Sequence, residues 1–405
     1  MSSSRRNLFA LTAATFIGTT GFTLVMPFLP LYFRQLGVED VGEIALWSGL
    51  SLGATPAITA LLAPFWGRLG DRFGRKIMVE RSLASFVVVM AATAFVTKAW
   101  HVLALRAVQG LFAGYGALAI TMAAESVPRE RLARAIGQVQ TAQRLGPALG
   151  PIFGGVVAQI VGLRNAFLVT ALSFAIALVL VFVLYQEPVT KHPGEERDRG
   201  PVRFRTILAF ENFVLLMVVI FGLQFVDRSF GPVLPLYLEQ LGTPSGRIPL
   251  AAGLLFSIVA GTGALGNHLC GSLLQRSTPR RLIATSGAGA AACAFLYAIA
   301  PGSLWVFVVT PIFGAAVGIA TTAAYTAAGA VIPARARGAG FGFMSTASLT
   351  GVALSPIVSG LLGATSIRSV FLLDGVGLVV LTILVSRLMI GGHAAKASTP
   401  VAEEL

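Results

Sequence analysis

The stretch "PFLPLYFRQLG" at 27–37 returns as "PVLPLYLEQLG" at 232–242, eight of its eleven positions identical and the shift 205 residues. The same shift lays "PRERLARAIGQVQTAQRLGPALGPIFGGVV", from Pro128, on "PARARGAGFGFMSTASLTGVALSPIVSGLL", from Pro333. It matches Gly137 to Gly342, Gly146 to Gly351, Pro151 to Pro356 and Gly155 to Gly360. The chain therefore reads as one unit written twice. Between the copies lies "EPVTKHPGEERDRGPVRFR", polar, charged and Pro-containing, which is the composition of a linker. The expected organisation is a first unit at 1–186, a linker at 187–206 and a second unit at 207–405.

Composition says what the unit is made of. The 405 residues are 55% hydrophobic and 12% charged, with a mean hydropathy of +0.81, too apolar for a soluble globular protein of this size. Apolar stretches near the roughly 20 residues that cross a bilayer recur at about 8–33, 45–66, 77–97, 101–124, 134–160, 165–185, 207–238, 249–275, 281–300, 304–331, 337–363 and 369–390. Those are twelve predicted spans, six per copy. Hydrocarbon satisfies no backbone polar group, so only helices or closed barrels cross it, and these stretches are too long and too evenly apolar for barrel strands. An all-α integral membrane protein follows. "MSSSRR" runs straight into the first span with no cleavage signature, so that span is expected to be the insertion signal.

The net charge of +13 raises a nucleic-acid reading, which topology removes. With the N-terminus in the cytoplasm, 22 of the 30 Lys and Arg fall inside, 5 outside and 3 (Arg106, Arg144 and Arg228) within spans. That is the positive-inside pattern, with both termini cytoplasmic in a cell inner or plasma membrane. Cys270 and Cys293 lie in predicted spans 8 and 9 and suggest neither a disulfide nor a metal site. An even number of spans per copy inserts both copies in the same orientation, as parallel repeats about an axis along the membrane normal.

Three motifs carry mechanism. The connection between spans 2 and 3, "GRLGDRFGRK" at 67–76, resembles the loop motif of the major facilitator superfamily at Gly67, Asp71, Arg72, Gly74, Arg75 and Lys76. The resemblance implies that Asp71 caps span 11 when the cytoplasmic side is closed, an anion at a helix's positive end, and that Arg75 pairs with Glu125 at the inner end of span 4. The second copy, "GSLLQRSTPRR" from Gly271, has Gln275 where Asp71 would fall. In span 4, "LRAVQGLFAG" resembles the Arg-x-x-Gln-Gly motif of proton-coupled members, with Arg106 implicated in proton transfer; a buried arginine is costly unless paired or hydrated. In span 5 the series Gly137, Gly146, Gly150, Pro151, Gly154 and Gly155 resembles the antiporter signature of the drug:proton antiporters, and "GFTLVMPFLP" in span 1 is similar to a motif of the twelve-helix group. Small residues at such spacings also let helices pack closely. The resemblance covers essentially the whole chain. It implies two pseudo-symmetric six-helix bundles, a monomer, and kinship with bacterial multidrug exporters. The repeated Pro-Leu-Tyr phrase itself reads as an end-of-helix signal, with Tyr32 and Tyr237 expected at the headgroup level.

Proton exchange needs an acid that titrates in the cavity. Several family members place one in span 1, where this chain offers Thr12, Thr15, Thr19, Thr20 and Thr23 instead. Asp227 in span 7 is the first candidate. Asp374 in span 12 is a further candidate, but in the family that span is usually peripheral and the residue reads first as structural, a partner for a basic residue near the outer surface. Adjacent residues on a helix do not face each other, so Arg228 is expected to point to another helix or to water. Arg144, near the centre of span 5, is placed to attract an anion, repel a cation or pair with Asp227. Gln109, Gln224 and Phe225 are candidate cavity contacts, with Phe16, Phe22, Phe112, Phe221 and Phe230 as a possible apolar wall; His268 is expected to be a hydrogen-bonded packing residue. No phosphate-binding loop, zinc motif or nucleophile motif appears, so no enzyme, cofactor or metal is expected. The expected function is proton-coupled efflux of small amphiphilic molecules, with uptake by symport, then a receptor or scaffold role, as the alternatives.

Overall fold

A computed structural model of the chain describes residues 3–128, 131–187, 210, 212–333 and 337–389, without the side chains of 3, 63, 64, 67, 68, 70–72, 116, 117, 133 and 337–339. Every regular element in it is a helix. Span 1 is α1 (Ser3–Leu24) with α2 (Leu29–Gln35); span 2 is α3 (Val41–Phe73); span 3 is α4 (Arg75–Thr93); span 4 is α5 (Ala99–Phe112) with α6 (Tyr115–Glu125). Spans 5 and 6 are α7 (Leu132–Val161) and α8 (Leu163–Leu184). The second copy follows with α9 (Phe213–Ser229) and α10 (Leu234–Gln240) as span 7, then α11 (Ile248–Leu274), α12 (Pro279–Ala298), α13 (Ser303–Val331), α14 (Arg337–Gly363) and α15 (Ile367–Leu388). The proposed linker, beyond Glu187, lies outside the described residues.

The repeated phrase is where spans 1 and 7 break. Pro27 and Pro232 each remove a backbone donor just where α1 and α9 end, and Pro30 and Pro235 sit in the first turns of α2 and α10, where no donor is needed. The second break bends its helix pair by 50°. Span 4 breaks as well, which its apolar run does not announce: Ala113 is extended and Gly114 has φ +121°. Phe112's carbonyl, freed there, accepts from Arg81 Nη2 at 3.1 Å, and the Arg81 guanidinium lies 3.4 Å over the Trp66 ring.

Fifteen helices among the described residues thus stand for the twelve predicted spans. Nine of the helices are individually long and apolar enough to cross a membrane among the described residues, or ten with the bent pair. Helix α4 is not among them, since its first seven residues include Arg75, Lys76, Glu80 and Arg81. Packing repeats with the sequence: α1 on α7 and α9 on α14, α3 on α5 and α11 on α13, α4 on α8 and α12 on α15. The two halves meet where α3 packs on α14 and α7 on α11. Large apolar side chains such as Ile160 and Leu304, each 76% exposed, cover the outside, which is the solution for a solvent of lipid.

Two sequence expectations are corrected here. Tyr32 and Tyr237 do not reach the headgroups; both are buried, and their hydroxyls donate to the carbonyls of Thr93 (2.6 Å) and Tyr297 (2.5 Å). A phenol on a buried ring needs a partner, and a helix-end carbonyl supplies it in both copies. The connection between spans 2 and 3 is also shorter than a loop. Helix α3 runs on through Phe73, α4 begins at Arg75, and the whole turn is Gly74 at φ +94°, a conformation only glycine adopts without strain.

Candidate functional site

The end of the bundle that carries Arg5, Arg75 and Arg131 is called the inner end, and the opposite end the outer. At the outer end the halves close on each other through glycine. A Cβ on Gly49 of α3 would stand 2.8 Å from Gly360 Cα on α14, and one on Gly155 of α7 would stand 2.5 Å from the Pro249 carbonyl on α11. Ile152 N–H donates across the second of these seams to Ser257 Oγ at 3.1 Å. Gly155 and Gly360 are repeat partners, so one position of the unit makes both seams.

The closure is finished by the repeated phrase. Arg34 Nη1 and Nη2 donate to Glu239 Oε1 and Oε2 at 2.7 and 2.8 Å, a bidentate pair joining α2 to α10. These two residues are 205 apart, the repeat shift itself. Position 34 of the unit has become arginine in one copy and glutamate in the other. Residues related by the pseudo-two-fold approach each other at the axis, and two identical charges there would repel. The phrase is thus more than an end-of-helix signal.

Below this seal lies a cavity of about 380 Å³ between the halves. From α1 it takes Thr23, with Met26 just beyond that helix; from α7 it takes Gln143, Arg144, Pro147 and Pro151; from α9 come Gln224, Asp227 and Arg228. Helix α11 contributes Phe256, Val259 and Asn267, and α13 contributes Val317 and Thr321. Arg144, Gln224, Asp227 and Arg228, separated by up to 84 positions, are brought to one wall-to-wall space. Gln224 Nε2 donates to Ser348 Oγ at 3.0 Å. With its amide oriented to satisfy every neighbour, Asn267 donates to Thr322 Oγ1 (2.9 Å) and the Gly318 carbonyl (2.8 Å) and accepts from Arg144 Nη1 (3.1 Å).

Arg228 departs from expectation. Its Nε lies 3.2 Å from Asp227 Oδ2, an ion pair between neighbours on one helix. The contact is electrostatic in kind, because the Nε–H is not aimed at an acceptor. Adjacent Cβ atoms point about 100° apart on a helix, but the arginine stem is long enough to turn back at the end of α9, where the helix stops at Ser229. Arg144 does not take the alternative of pairing with Asp227; its partner is the neutral amide of Asn267.

Several candidates fall elsewhere. Arg106 is buried, and its Nη1 donates to Gln109 Oε1 at 2.9 Å. Gln109 is fully buried beneath it and does not line the central cavity. Arg106 instead faces a small space of about 80 Å³, shared with Arg228, Ser51, Thr55 and Phe22. Phe225 lies with its ring tilted against Phe221, centroids 6.1 Å apart, and is not in the lining; Phe112 packs by Trp66; Phe230 is buried among Tyr297, Phe313 and Phe371. Asp374 has no basic partner among the described residues. It is 1% exposed, Ser229 Oγ donates to its Oδ2 at 2.5 Å, and its Oδ1 has no partner. His268 is exposed rather than packed.

The antiporter-like glycines divide their work. Gly150 brings α7 against α1, where a Cβ would stand 2.6 Å from the Thr20 carbonyl. Gly146 and Gly154 meet Thr19 and the Leu24 carbonyl in the same seam, and Pro151 faces Gly253 across the halves. Gly137 meets nothing. It lines an inner vestibule of about 910 Å³ with Arg5, Phe9, Phe16, Arg131 and Arg134. Nearby, Arg75 Nη1 contacts the Glu125 carboxylate, its backbone N–H donates to Glu187 Oε1 at 3.1 Å, and Lys76 donates to the Phe182 carbonyl at 3.0 Å. The side chains of Gly67, Asp71 and Arg72 lie outside the described residues.

Sequence reasoning missed Phe256, Asn267 and Met26. Asn267 carried a signal, being an amide in an otherwise apolar helix; Phe256 and Met26 carried none that separates a cavity wall from a lipid-facing side chain.

Known proteins arranged this way are transporters. The Major Facilitator Superfamily model matches residues 11–321 and 249–404. The chain is 33% identical over 282 residues to the multi-drug resistance efflux pump PmrA homolog of Lactococcus lactis, covering 69% of each. It is 34% identical over 281 residues to the multidrug resistance protein MdtG of Serratia proteamaculans, covering 69% of this chain and 68% of that one. A bacterial homolog of the human lysosomal transporter Spinster, in an inward-facing and unoccupied conformation, superposes with a TM-score of 0.77 at 16% identity, over 96% of this chain and 98% of that one. The chain belongs to the Major Facilitator Superfamily, a family of multi-pass membrane transporters and not of enzymes, and within it resembles the multidrug exporters.

Proposed function

We propose that this protein exports small amphiphilic molecules from the cytoplasm in exchange for protons, as a monomer in the cytoplasmic membrane with both termini inside. The observation that carries the reading is the central cavity. It holds Asp227, the one carboxylate among its described lining residues, beneath the outer seal that joins the two halves. The resemblance to proteins named multidrug resistance efflux pumps supplies the direction.

In this reading the inner end faces the cytoplasm and the structure is inward-facing. Asp227, ionised, is held by Arg228. A proton arriving from outside cancels the carboxylate's charge and releases Arg228, and a substrate entering from inside does the opposite work. The halves rock about the α3–α14 and α7–α11 seams. In the outward-open state Arg34 and Glu239 part, and Asp71, with Arg75 and Glu125 beside it, latches the inner end. Arg106 and Gln109 hold a buried cation behind Arg228, and Asp374 is a second, occluded acid on the far side of α9.

The experiment is dissipation of a pH gradient in energised everted vesicles, challenged with lipophilic cations, neutral drugs and anionic antibiotics. Compound-dependent collapse is expected with the protein and not with Asp227→Asn. Proton exchange at the wild-type rate in Asp227→Asn would remove Asp227 from the cycle, and substrate accumulation inside energised intact cells would turn the reading to symport.

A further inference from the structure

The charges of the central cavity do not cancel. Asp227 is matched by Arg228 at 3.2 Å. Arg144 is left with an amide oxygen, which accepts one hydrogen bond and carries no charge to oppose the guanidinium. A guanidinium has five N–H donors in a planar fork, so with Asn267 as its one partner among the described residues most of Arg144's are free for a ligand. Its exposure is toward the open space between the halves.

The way in is charged in the same sense. Nearer the inner end, a space between α1 and α7 is lined by Gln138, Thr141 and Leu145 and, one turn or more below the cavity wall at Gln143 and Arg144, by Arg131 and Arg134. Arg5 faces it from α1, and no Asp or Glu is among its described lining residues. The positive-inside rule explains why arginines gather at this end of the bundle. It does not require three of them to line the vestibule. A low-dielectric channel with cations on its walls focuses potential along its axis and raises the local concentration of anions. Apolar surface accompanies the charge throughout, from Phe9 and Phe16 in the vestibule to Met26, Phe256 and Val259 in the cavity.

Resting on the export reading, we propose that the transported molecule is an anionic amphiphile: one oxyanion group, whether carboxylate, sulfonate or phosphate, on a small apolar body. Arg5, Arg131 and Arg134 gather it, Arg144 binds the oxyanion through its free donors, and Phe256 and Val259 cover the apolar part. A cationic amphiphile meets an uncompensated positive wall at every stage. The export of an anion and the entry of a proton both move charge in the direction an inside-negative potential favours, so the cycle is driven by the potential as well as by the pH difference.

The test uses the full chain in proteoliposomes and three probes with one naphthyl body: the sulfonate, the carboxamide and the trimethylammonium. Binding is measured by titration and proton movement by an entrapped pH dye. The sulfonate should bind at least about tenfold tighter than the trimethylammonium, the size of one charge-assisted hydrogen bond. Arg144→Gln should remove most of that ratio while moving the carboxamide less, and Arg144→Lys should keep the order of the probes. Equal or tighter binding of the trimethylammonium overturns the proposal, as does a ratio unchanged in Arg144→Gln; if that variant does not fold, the wild-type ratio and Arg144→Lys decide. Arg144-dependent sulfonate binding without proton movement would uphold the anion site and end the proton-exchange reading. Proton movement driven by the trimethylammonium and not by the sulfonate would do the reverse.

Discussion

The two ends of this bundle are built by opposite uses of the same duplication. At the outer end the two copies use the same positions: Gly155 and Gly360 each form one of the two seams, and Arg34 pairs with its repeat partner Glu239. At the inner end, repeat-related residues have been given different work. Arg75 contacts Glu125, whereas Arg280, its counterpart one shift on, donates to the Ser386 carbonyl. The first copy turns on Gly74 alone, the second through four residues between Leu274 and Pro279, capped by Thr278 Oγ1 accepting from Arg281 N–H at 3.3 Å. Symmetry suffices for a contact on the axis, where the copies differ in the sign of one charged position. A contact off the axis has no such partner, and each half finds its own.

The largest break in this comparison is expected at the outer seam. Gly49→Leu forces a side chain against Gly360 and the Pro356 carbonyl, overpacking of a kind that costs about 1–3 kcal/mol. It acts only where the halves touch, so transport should be lost while the folded yield falls little; vesicle transport and a thermal melt check it. At the inner end, Gly74→Ala places a Cβ at φ +94°, ψ 143°, a region costing about 1–3 kcal/mol for other residues. That cost appears in the folded protein in any state, so the melting temperature should fall more than turnover does.

Charge tests sharpen the contrast. Arg34→Glu sets two carboxylates facing each other and should raise outer-end accessibility of an introduced cysteine about fivefold, from the roughly 1 kcal/mol that a well-made, half-exposed pair contributes. Arg34→Glu with Glu239→Arg should restore the wild-type value, because only the sign is exchanged across the axis; failure of that rescue would mean the pair is incidental. The smallest effect is expected from neutralising the inner pair's members separately. Arg75→Gln should slow turnover by about twofold to threefold, within the range of exposed ion pairs, and Arg280→Gln by less. Equal effects would mean that the inner end is symmetric after all.

Much of this was legible in the chain itself. Hydropathy and the 205-residue shift are properties of local composition, and they specify helices, their duplication and the parallel arrangement of the halves, because lipid leaves the backbone no other choice. Motif spacing located the glycine seam of α7 and the neighbourhood of Arg75. Where prediction failed, the question was which way a helix faces. Gln109 and Asn267 are both amides in apolar helices, yet one is sealed under Arg106 and the other bridges Arg144 to α13. Phe225 and Phe256 are likewise equivalent on paper. In a soluble protein the polar face of a helix points to water, but in a bundle inside lipid both faces are apolar, so rotation about the axis leaves no trace in periodicity.

The sequence by itself determined the class of molecule, its helical make-up and the duplication of its helices. Only the tertiary structure decided that Arg34 and Glu239 meet, that Arg228 takes Asp227, that Ser229 takes Asp374, and that Arg144 is left facing the cavity with a neutral partner. Membrane insertion reads each span one at a time, by its own transfer energy. Pairing depends on the crossing of helices distant in the chain, set by where glycine lets backbones approach, and no single span contains that information.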